Sequence, residues 1–561
     1  MNSSNSEGTL PDRLAEIAAA HPRVSTTFWS TAESMEYAEL HRTAQAAAAA
    51  LVRRGVRRGE PVGILCPNTP EFLVSFFGIA AAGGAATPLP LPAGARRAGG
   101  YPQQLAAITA AAGMRTVLVS PRFAELVPLL HGVVDVEFVD TTPFSEATEY
   151  ADAVTELPAV HPDDLAVVQF TSGSTALPKG VRLTHRNVLA GLAAIRRGID
   201  LNLGDQGGFW LPLFHDMGLF GTLSAILRGT PSHIWSPLAF VKDPARWLRE
   251  FAASGTTITA MPNFGYEALL AAVPPEQVAE YDLRHWRIAF NGAEPISRDV
   301  VTRFIERFRP AGFAPSTMFG VYGMAEATLA VAFPPLGREP LFEWVDRARL
   351  ADDGIAERVS RTAAGARAVA GVGAAVEGLQ LRIVALDDGV SPAAGGVELP
   401  EGHVGEILIR GASVTGAYLT AENNSAADRF VDGWLRTGDL GYVRGAELFV
   451  TGRCKDMITV RGVNHYAQDV EAAVRDLDGI YKGRCTAAID PEGADVIVLI
   501  AESERVGEAA AALTRLIEDR IAAELGLAAV EVYLVAPRTI PRTSSGKLQR
   551  LAACDLITPR R

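Results

Sequence analysis

Ten residues carry the first chemical signal, Thr171-Ser172-Gly173-Ser174-Thr175-Ala176-Leu177-Pro178-Lys179-Gly180, fed by the apolar run Leu165 to Phe170. An apolar run followed by small hydroxyl and glycine residues and then one lysine describes a strand ending in an anion cradle. Glycine lets backbone N–H groups turn inward, the hydroxyls add donors, and lysine brings a compact charge to a phosphate. The spacing is not that of the P-loop, which places four residues between two glycines and follows the second with Lys and Ser/Thr. A solvated Ser/Gly linker is the alternative, because such composition also marks ordinary loops.

Three further strand-to-loop transitions carry reactive groups. Phe209-Trp210-Leu211-Pro212-Leu213-Phe214-His215-Asp216 ends in a His-Asp pair, and its Asp could equally cap the helix that follows. Arg287 to Pro295 reads as a strand and a tight turn containing Asn291-Gly292-Ala293-Glu294. Met318 to Thr328 brings one carboxylate, Glu326. Near the end of the chain, Pro541-Arg542-Thr543-Ser544-Ser545-Gly546-Lys547 is a polar, glycine-bearing loop with one ammonium group. Positive charge is almost all arginine. The lysines are Lys179, Lys242, Lys455, Lys482 and Lys547, which suggests that some loops require a small point charge.

These loops need a scaffold, and the pattern around them supplies one. Helical spacing over Pro11 to Arg58 and Phe72 to Ala82 alternates with short apolar runs at Pro61–Cys66, Thr116–Ser120, Val133–Val139 and Leu165–Phe170. That alternation predicts an α/β fold: a large N-terminal domain of parallel sheets covered by helices. Strand-end loops would then gather at the carboxyl edge, where open α/β sheets bind ligands. Pro334 to Val372 is rich in Ala, Arg and Asp, with little strand signal. From Leu379 the pattern turns β-rich (Leu379–Val384, Val404–Arg410, Glu447–Val450), as in a distorted β-barrel subdomain over about 373–454. Gly452 to Asp456 reads as a junction, giving an N-terminal domain 1–454 and a small, mobile α+β C-terminal domain 455–561.

Composition sets limits. A chain of 561 residues is too long for one core. Its net charge of −12 argues against non-specific nucleic-acid binding. Cys66, Cys454, Cys485 and Cys554 have no metal-ligand spacing and fit free thiols in a reducing compartment. The N-terminus lacks a basic-then-apolar signal segment, and the most apolar window, Phe76 to Ala95, is broken by Gly and Pro. No membrane span and a cytoplasmic location are expected.

Taken together, TSGST..PKG, GAEP, YGMAEA, TGDLG, GRCKD and SSGK, in this order, resemble the acyl-adenylate-forming superfamily over essentially the whole chain. Within it, Trp210 to Leu219, Phe290 to Pro295, Tyr322 to Leu329 and Arg461 to Glu471 are similar to the fatty acyl-AMP ligase branch. Ala325 stands where most of the superfamily has threonine, and His465-Tyr466 replaces the usual Ile-x-Pro of CoA ligases.

The resemblance implies ATP-dependent attack of a fatty or related carboxylate on the α-phosphorus, giving acyl-AMP and pyrophosphate, then transfer to a thiol. Two anions must meet, so positioning and charge neutralisation dominate. Lys547 would bridge the carboxylate and the phosphate oxygens, with His215 and Glu326 counted among the catalytic residues. Glu326 would hold Mg²⁺. Thr171, Ser172, Gly173, Ser174, Thr175 and Lys179 would hold phosphates, and Asn291, Gly292, Ala293, Glu294, Tyr322, Gly323, Met324 and Ala325 would form the nucleotide site. Asp439 suits the ribose diol, with Arg453 beside it. Phe264, Gly320 and Met324 would line the acyl pocket, between the helix after Asn263–Tyr266 and the loop Gly320–Met324. Lys455 would be the hinge. The acceptor implied is the phosphopantetheine of an acyl carrier protein acting in trans, since no carrier motif follows before Arg561. An insertion at Pro334–Val372 would disfavour free CoA, unless that span is a dispensable surface loop.

The chain departs from the superfamily pattern at Ala176, Ala417 and Ala467, none of which removes a charge the chemistry needs. The rival readings are a fatty acyl-CoA synthetase, an amino-acid adenylation enzyme and a catalytically dead nucleotide-binding regulator. No acidic residue is placed to hold an α-amine, and Lys547, Glu326 and Asp439 are all present.

Overall fold

The computed structural model describes residues 8–92, 100–145, 156–171, 178–386, 396–420, 429–460, 463–490, 496–527, 530–542 and 548–557. The chain divides into two compact units. One comprises Met1–Leu341, Val372–Leu381 and Ile409–Leu435; the other comprises Phe342–Gly371, Arg382–Leu408 and Arg436–Arg561.

The first unit is built on two large sheets and a small one, in which Ala330–Phe333 pairs with Tyr322–Gly323 and Ala374–Ala375. In one large sheet, Met318–Gly320, Ile288–Asn291, Ile258–Met261, Gly207–Phe209, Ser232–Ile234 and Ser25–Phe28 lie side by side and parallel, with Glu33–Glu36 antiparallel at the edge. Ile258–Met261 and Ile288–Asn291 are buried at every position, which is why they read as continuous apolar runs rather than alternating ones. In the other sheet, Glu137–Asp140, Thr116–Val119, Pro61–Leu65, Ala85–Pro88 and Leu165–Thr171 are parallel. Lys179–Thr184 and Tyr418–Leu419 then add antiparallel strands at the far edge. Helix starts follow capping chemistry. Thr9 with Asp12, and Thr184 with Asn187, each form a reciprocal capping box that opens Leu10–Ala20 and His185–Gly198.

A further sheet runs in the order Leu341–Asp346, Ala366–Gly371, Glu447–Arg453, Trp434–Arg444, Gly405–Gly411 and Leu379–Val384. Beyond it, Cys485–Ile489, Ile497–Glu502 and Val530–Val535 form a small sheet. The helices Ala467–Val474 and Gly507–Leu525 bury Val470, Val474, Leu513, Ile517 and Ile521 in a common core with Leu499.

Three expectations are corrected. The span Pro334–Val372 is not poor in strands: it contains Leu341–Asp346, the helix Arg347–Asp352 and Ala366–Gly371. The alternation in ARAVAG is real, but its inward positions are Arg367, Val369 and Gly371, so an arginine and a glycine disguise it. Val345, Leu350, Ala356 and Val369 pack with Tyr442, Phe449 and Tyr466, so the span is no dispensable loop. The strand expected at Val133–Val139 lies at Glu137–Asp140. The helix expected after Tyr266 already begins at Asn263, because the Glu294 carboxylate accepts from Phe264 N at 3.0 Å and satisfies an N-terminal donor.

Candidate active site

Parallel pairing puts the carboxyl ends of Gly207–Phe209, Ile288–Asn291 and Met318–Gly320 at one edge of their sheet, so their loops face one region. Loop-to-loop bonds fix them there. Asn291 is fully buried and donates to Asn263 Oδ1 at 3.1 Å, and Asn263 donates to Pro295 O. Val321 N donates to Asn291 O at 2.9 Å. Gly292 packs against Val321, where a Cβ would stand 3.0 Å from both the side chain and the carbonyl oxygen. Ala293 takes a left-handed φ of 68°, which tightens the turn. Gly323 is obligatory, because a Cβ there would collide with Leu329 O.

The second sheet is tied to the same place. Thr171 pairs with Lys179 and Phe170 with Gly180, so the strands on either side of the Ser/Gly loop are antiparallel partners. From the strand entering that loop, Gln169 donates to Phe214 O at 2.7 Å and so holds the residue before His215. His215 is the N-cap of the helix Asp216–Ile226 by its backbone, and its ring lies 4.7 Å from that of Phe214. Asp216 is the first helical residue and accepts from Met217 N at 2.7 Å. Asn68 binds this turn from behind: it donates to Leu211 O and Trp235 O and accepts from Leu213 N, at 2.9, 3.0 and 3.1 Å.

Glu326 is a buried carboxylate of the first unit. It is buried in a one-turn 3₁₀ helix, Ala325–Ala327, and accepts from the Tyr418 hydroxyl at 3.1 Å. Tyr418 reaches it because its strand pairs with Lys179–Thr184 beside the Ser/Gly loop. Burial raises the pKa of the Glu326 carboxyl and Asp216 adds to the rise, while a backbone N–H bond, Arg429 and the Tyr418 hydrogen bond offset part of it. Thr328 follows in a left-handed conformation (φ 66°, ψ −51°) costly for a β-branched residue, held by bonds from its hydroxyl to Asn187 O and Ser413 O, both 3.1 Å. Gly191 leaves room for it, since a Cβ there would lie 2.6 Å from Thr328 Cβ.

Phe264, Gly320 and Met324 are half-buried around the same loops. The ring of Phe264 meets Trp210 edge-on at 5.7 Å, and Trp210 stacks on Phe240 at 3.7 Å. In the second unit Asp439 and Arg453 are cross-strand neighbours, joined by an ion pair of 3.0 Å between Arg453 Nε and Asp439 Oδ1. Lys455 is exposed in the short turn Cys454–Asp456. Ser172, Gly173, Ser174, Thr175 and Lys547 lie outside the described residues.

Sequence reasoning did not single out Asn68, Gln169, Tyr418 or Thr328 as functional. Asn68 and Gln169 act on carbonyls 143 and 45 residues away, which no local pattern announces. Tyr418 had a signal, its place within a motif already marked by Ala417.

A buried carboxylate and glycine-tightened strand ends thus share the carboxyl edge of a parallel sheet, where open α/β sheets bind ligands. The chain belongs to the AMP-binding enzyme family, whose model matches residues 14–419. Residues 455–556 match a second model, described as Disco-interacting protein 2-like, AMP domain. A Caulobacter vibrioides protein provisionally named an acyl-CoA synthetase is 35% identical over 93% of this chain and 90% of its own. The medium-chain-fatty-acid–[acyl-carrier-protein] ligase TtuA of Teredinibacter turnerae is 32% identical, covering 89% of this chain and 86% of its own. A solved structure from work on fatty acyl-adenylate ligases of E. coli and L. pneumophila superposes with a TM-score of 0.90 at 31% identity, covering 99% of each chain. Among the described residues no helix is long and apolar enough to cross a membrane.

Proposed function

We propose that the protein is a fatty acyl-AMP ligase that activates a fatty or related carboxylic acid with ATP and passes the acyl group to the phosphopantetheine thiol of a carrier protein acting in trans. The observation that carries the reading is the buried Glu326, its pKa raised by burial, among the strand-end loops. Asn291 to Glu294 and Tyr322 to Ala325 would hold the adenosine, and residues 171–175 with Lys179 the phosphates. Asp439 and Arg453 would take the ribose, and Phe264, Gly320 and Met324 the start of the acyl chain.

The donor set suits Mg²⁺, an ion usually held by one or two carboxylates plus substrate phosphates rather than by a protein cage. Glu326 faces Asp216, a repulsion that a divalent cation would relieve, and the described residues contain no cluster of three or more ligating side chains. When bound, the ion neutralises charge on the phosphates. The chain's own residues orient the reactants: Tyr418 fixes the Glu326 carboxylate, and Gln169 and Asn68 hold the turn that carries His215. We assign Lys547 the bridge between carboxylate and phosphate, and Lys455 the hinge between domains 1–454 and 455–561.

A carrier-protein acceptor is supported by the TtuA relative, and the resemblance to fatty acyl-adenylate ligases supports the acyl-AMP step. The span 342–371 also holds residues of the proposed C-terminal domain. Arg367 pairs with Asp469 at 3.0 Å and lies over the Tyr466 ring at 4.2 Å, and Asn464 N donates to Asp352 at 3.4 Å. Such ties would resist the rearrangement that free CoA requires. Four free thiols fit a cytoplasmic setting.

The test supplies purified enzyme, ATP, Mg²⁺ and a fatty acid, then offers CoA or a holo carrier protein. Pyrophosphate release followed by acyl-carrier formation is expected. Acyl-CoA formed at a comparable rate would select the synthetase reading that the Caulobacter relative's name favours. Pyrophosphate exchange with amino acids alone would select the amino-acid adenylation reading.

A further inference from the structure

At the opposite end of the helix Asp216–Ile226 from the nucleotide loops, about 16 Å away at 1.5 Å per residue, two arginines share one acceptor. Arg13 Nε and Arg196 Nη1 both donate to Leu227 O, at 3.2 and 3.3 Å. Arg228, the next residue, donates from Nε to Leu201 O at 3.1 Å. Arg197 stands beside them with Glu377 at 2.8 Å, and Arg13 holds Glu16 at 2.6 Å. Neither Arg196 nor Arg228 has a carboxylate partner among the described residues.

Arg196 is only 7% exposed, and the charges that act on it are Arg13, Arg228 and Arg197, all positive. Burial and those neighbours lower its pKa to about 10. The carbonyls at one helix C-terminus stabilise a cation only modestly, too little to balance three guanidinium groups with one of them buried. Arginine at a helix end often serves only as a cap, yet a cap needs one guanidinium.

We propose that Arg13, Arg196 and Arg228 form a second anion site, one that takes a phosphate-type oxyanion, with Arg196 as its floor and the half-buried Arg13 and Arg228 as its rim. Planar guanidinium forks match the oxygens of a tetrahedral anion, which would complete the charge balance of the cluster. The site is independent of the nucleotide reading, because it shares no residue with it.

The test is thermal unfolding of the full chain with increasing inorganic phosphate or glycerol 2-phosphate against chloride at equal ionic strength. The first probe represents a free ion and the second a monoester. Wild type is expected to melt higher with one or both, and Arg228→Gln to need about tenfold more ligand for the same rise. Arg196→Gln is expected to melt at or above wild type without phosphate and to lose the response. Lys179→Ala should keep it. No response in wild type, an unchanged response in both Arg228→Gln and Arg13→Gln, or a response removed only by Lys179→Ala would overturn the proposal.

Discussion

Glu326 and Glu471 are both buried glutamates, one in each unit, and their surroundings could hardly differ more. Glu471 is saturated: Arg550 Nε and Nη2 reach its two oxygens at 2.9 Å each, and Thr486 Oγ1 and Ala487 N add bonds of 3.3 and 3.2 Å. Arg550 also bonds Asp456, one residue beyond Lys455, at 2.9 Å. Glu326 accepts from a backbone N–H and from one neutral hydroxyl, has Arg429 and an opposing Asp216 as its charged neighbours, and burial raises its pKa. The first arrangement spends every acceptor on the fold. The second holds acceptors back, at a cost in stability, as sites for ligands do.

The largest effect should come from breaking the saturated site. Glu471→Ala leaves the half-buried Arg550 with Asp456 alone beside a void and should cost about 3 kcal/mol, read by chemical denaturation of the full chain. A loss below about 1 kcal/mol would mean that the pair is decoration. Glu326→Gln should do the reverse. Pyrophosphate release should fall about 10²–10³-fold, the range for losing one charge-stabilising group, while stability holds or rises. A variant that lost stability but kept its rate would exchange the roles of the two residues.

The pH dependence sharpens this. A carboxyl whose pKa is raised on folding keeps its proton in the native state at pH values where the unfolded chain has released it. Above the ordinary value of 4.5 the native state therefore binds more protons than the unfolded one, and stability falls with rising pH until the raised pKa is passed. Wild type should accordingly lose stability relative to Glu326→Gln over that window and run parallel to it above. Melting temperatures of the two proteins from pH 4 to 8 check the sign. A wild type that gained on the variant as pH rose would show that the Glu326 carboxylate is better satisfied than its partners suggest.

How much of this contrast was legible in the chain follows from the range of the interactions. The glycine-punctuated strand ends could be read because a strand, a tight turn and a carboxylate are local, and Glu326 stood out within YGMAEA. The parallel sheets followed from alternation of short apolar runs with helical spacing. What could not be read was the support. Asn68, Gln169 and Tyr418 contribute bonds across 45 to 167 residues, and nothing near them in sequence marks the partner. Strand Ala366–Gly371 was hidden because its inward residues include Arg367, whose burial makes sense only with Asp469 opposite and Thr451 O accepting at 2.8 Å. Glu471 was passed over as one acid in a helix, since its meaning lies in Arg550, 79 residues later.

The smallest test separates a positioning bond from a structural one. Tyr418→Phe removes the one hydroxyl that donates to Glu326 and leaves the ring, whose centroid lies 6.0 Å from that of Phe430. If Glu326 were a structural charge, losing a donor would appear as about 1 kcal/mol of stability and nothing else. If it is an acceptor kept for a ligand, the variant should fold normally, raise the Mg²⁺ concentration needed for half-maximal pyrophosphate release by roughly five- to tenfold, and keep most of its rate once Mg²⁺ saturates. The carboxylate would still be present but would have to be oriented by the ion it binds. A stability loss with no change in Mg²⁺ dependence would place Glu326 in the same class as Glu471, and the contrast between the two units would fail.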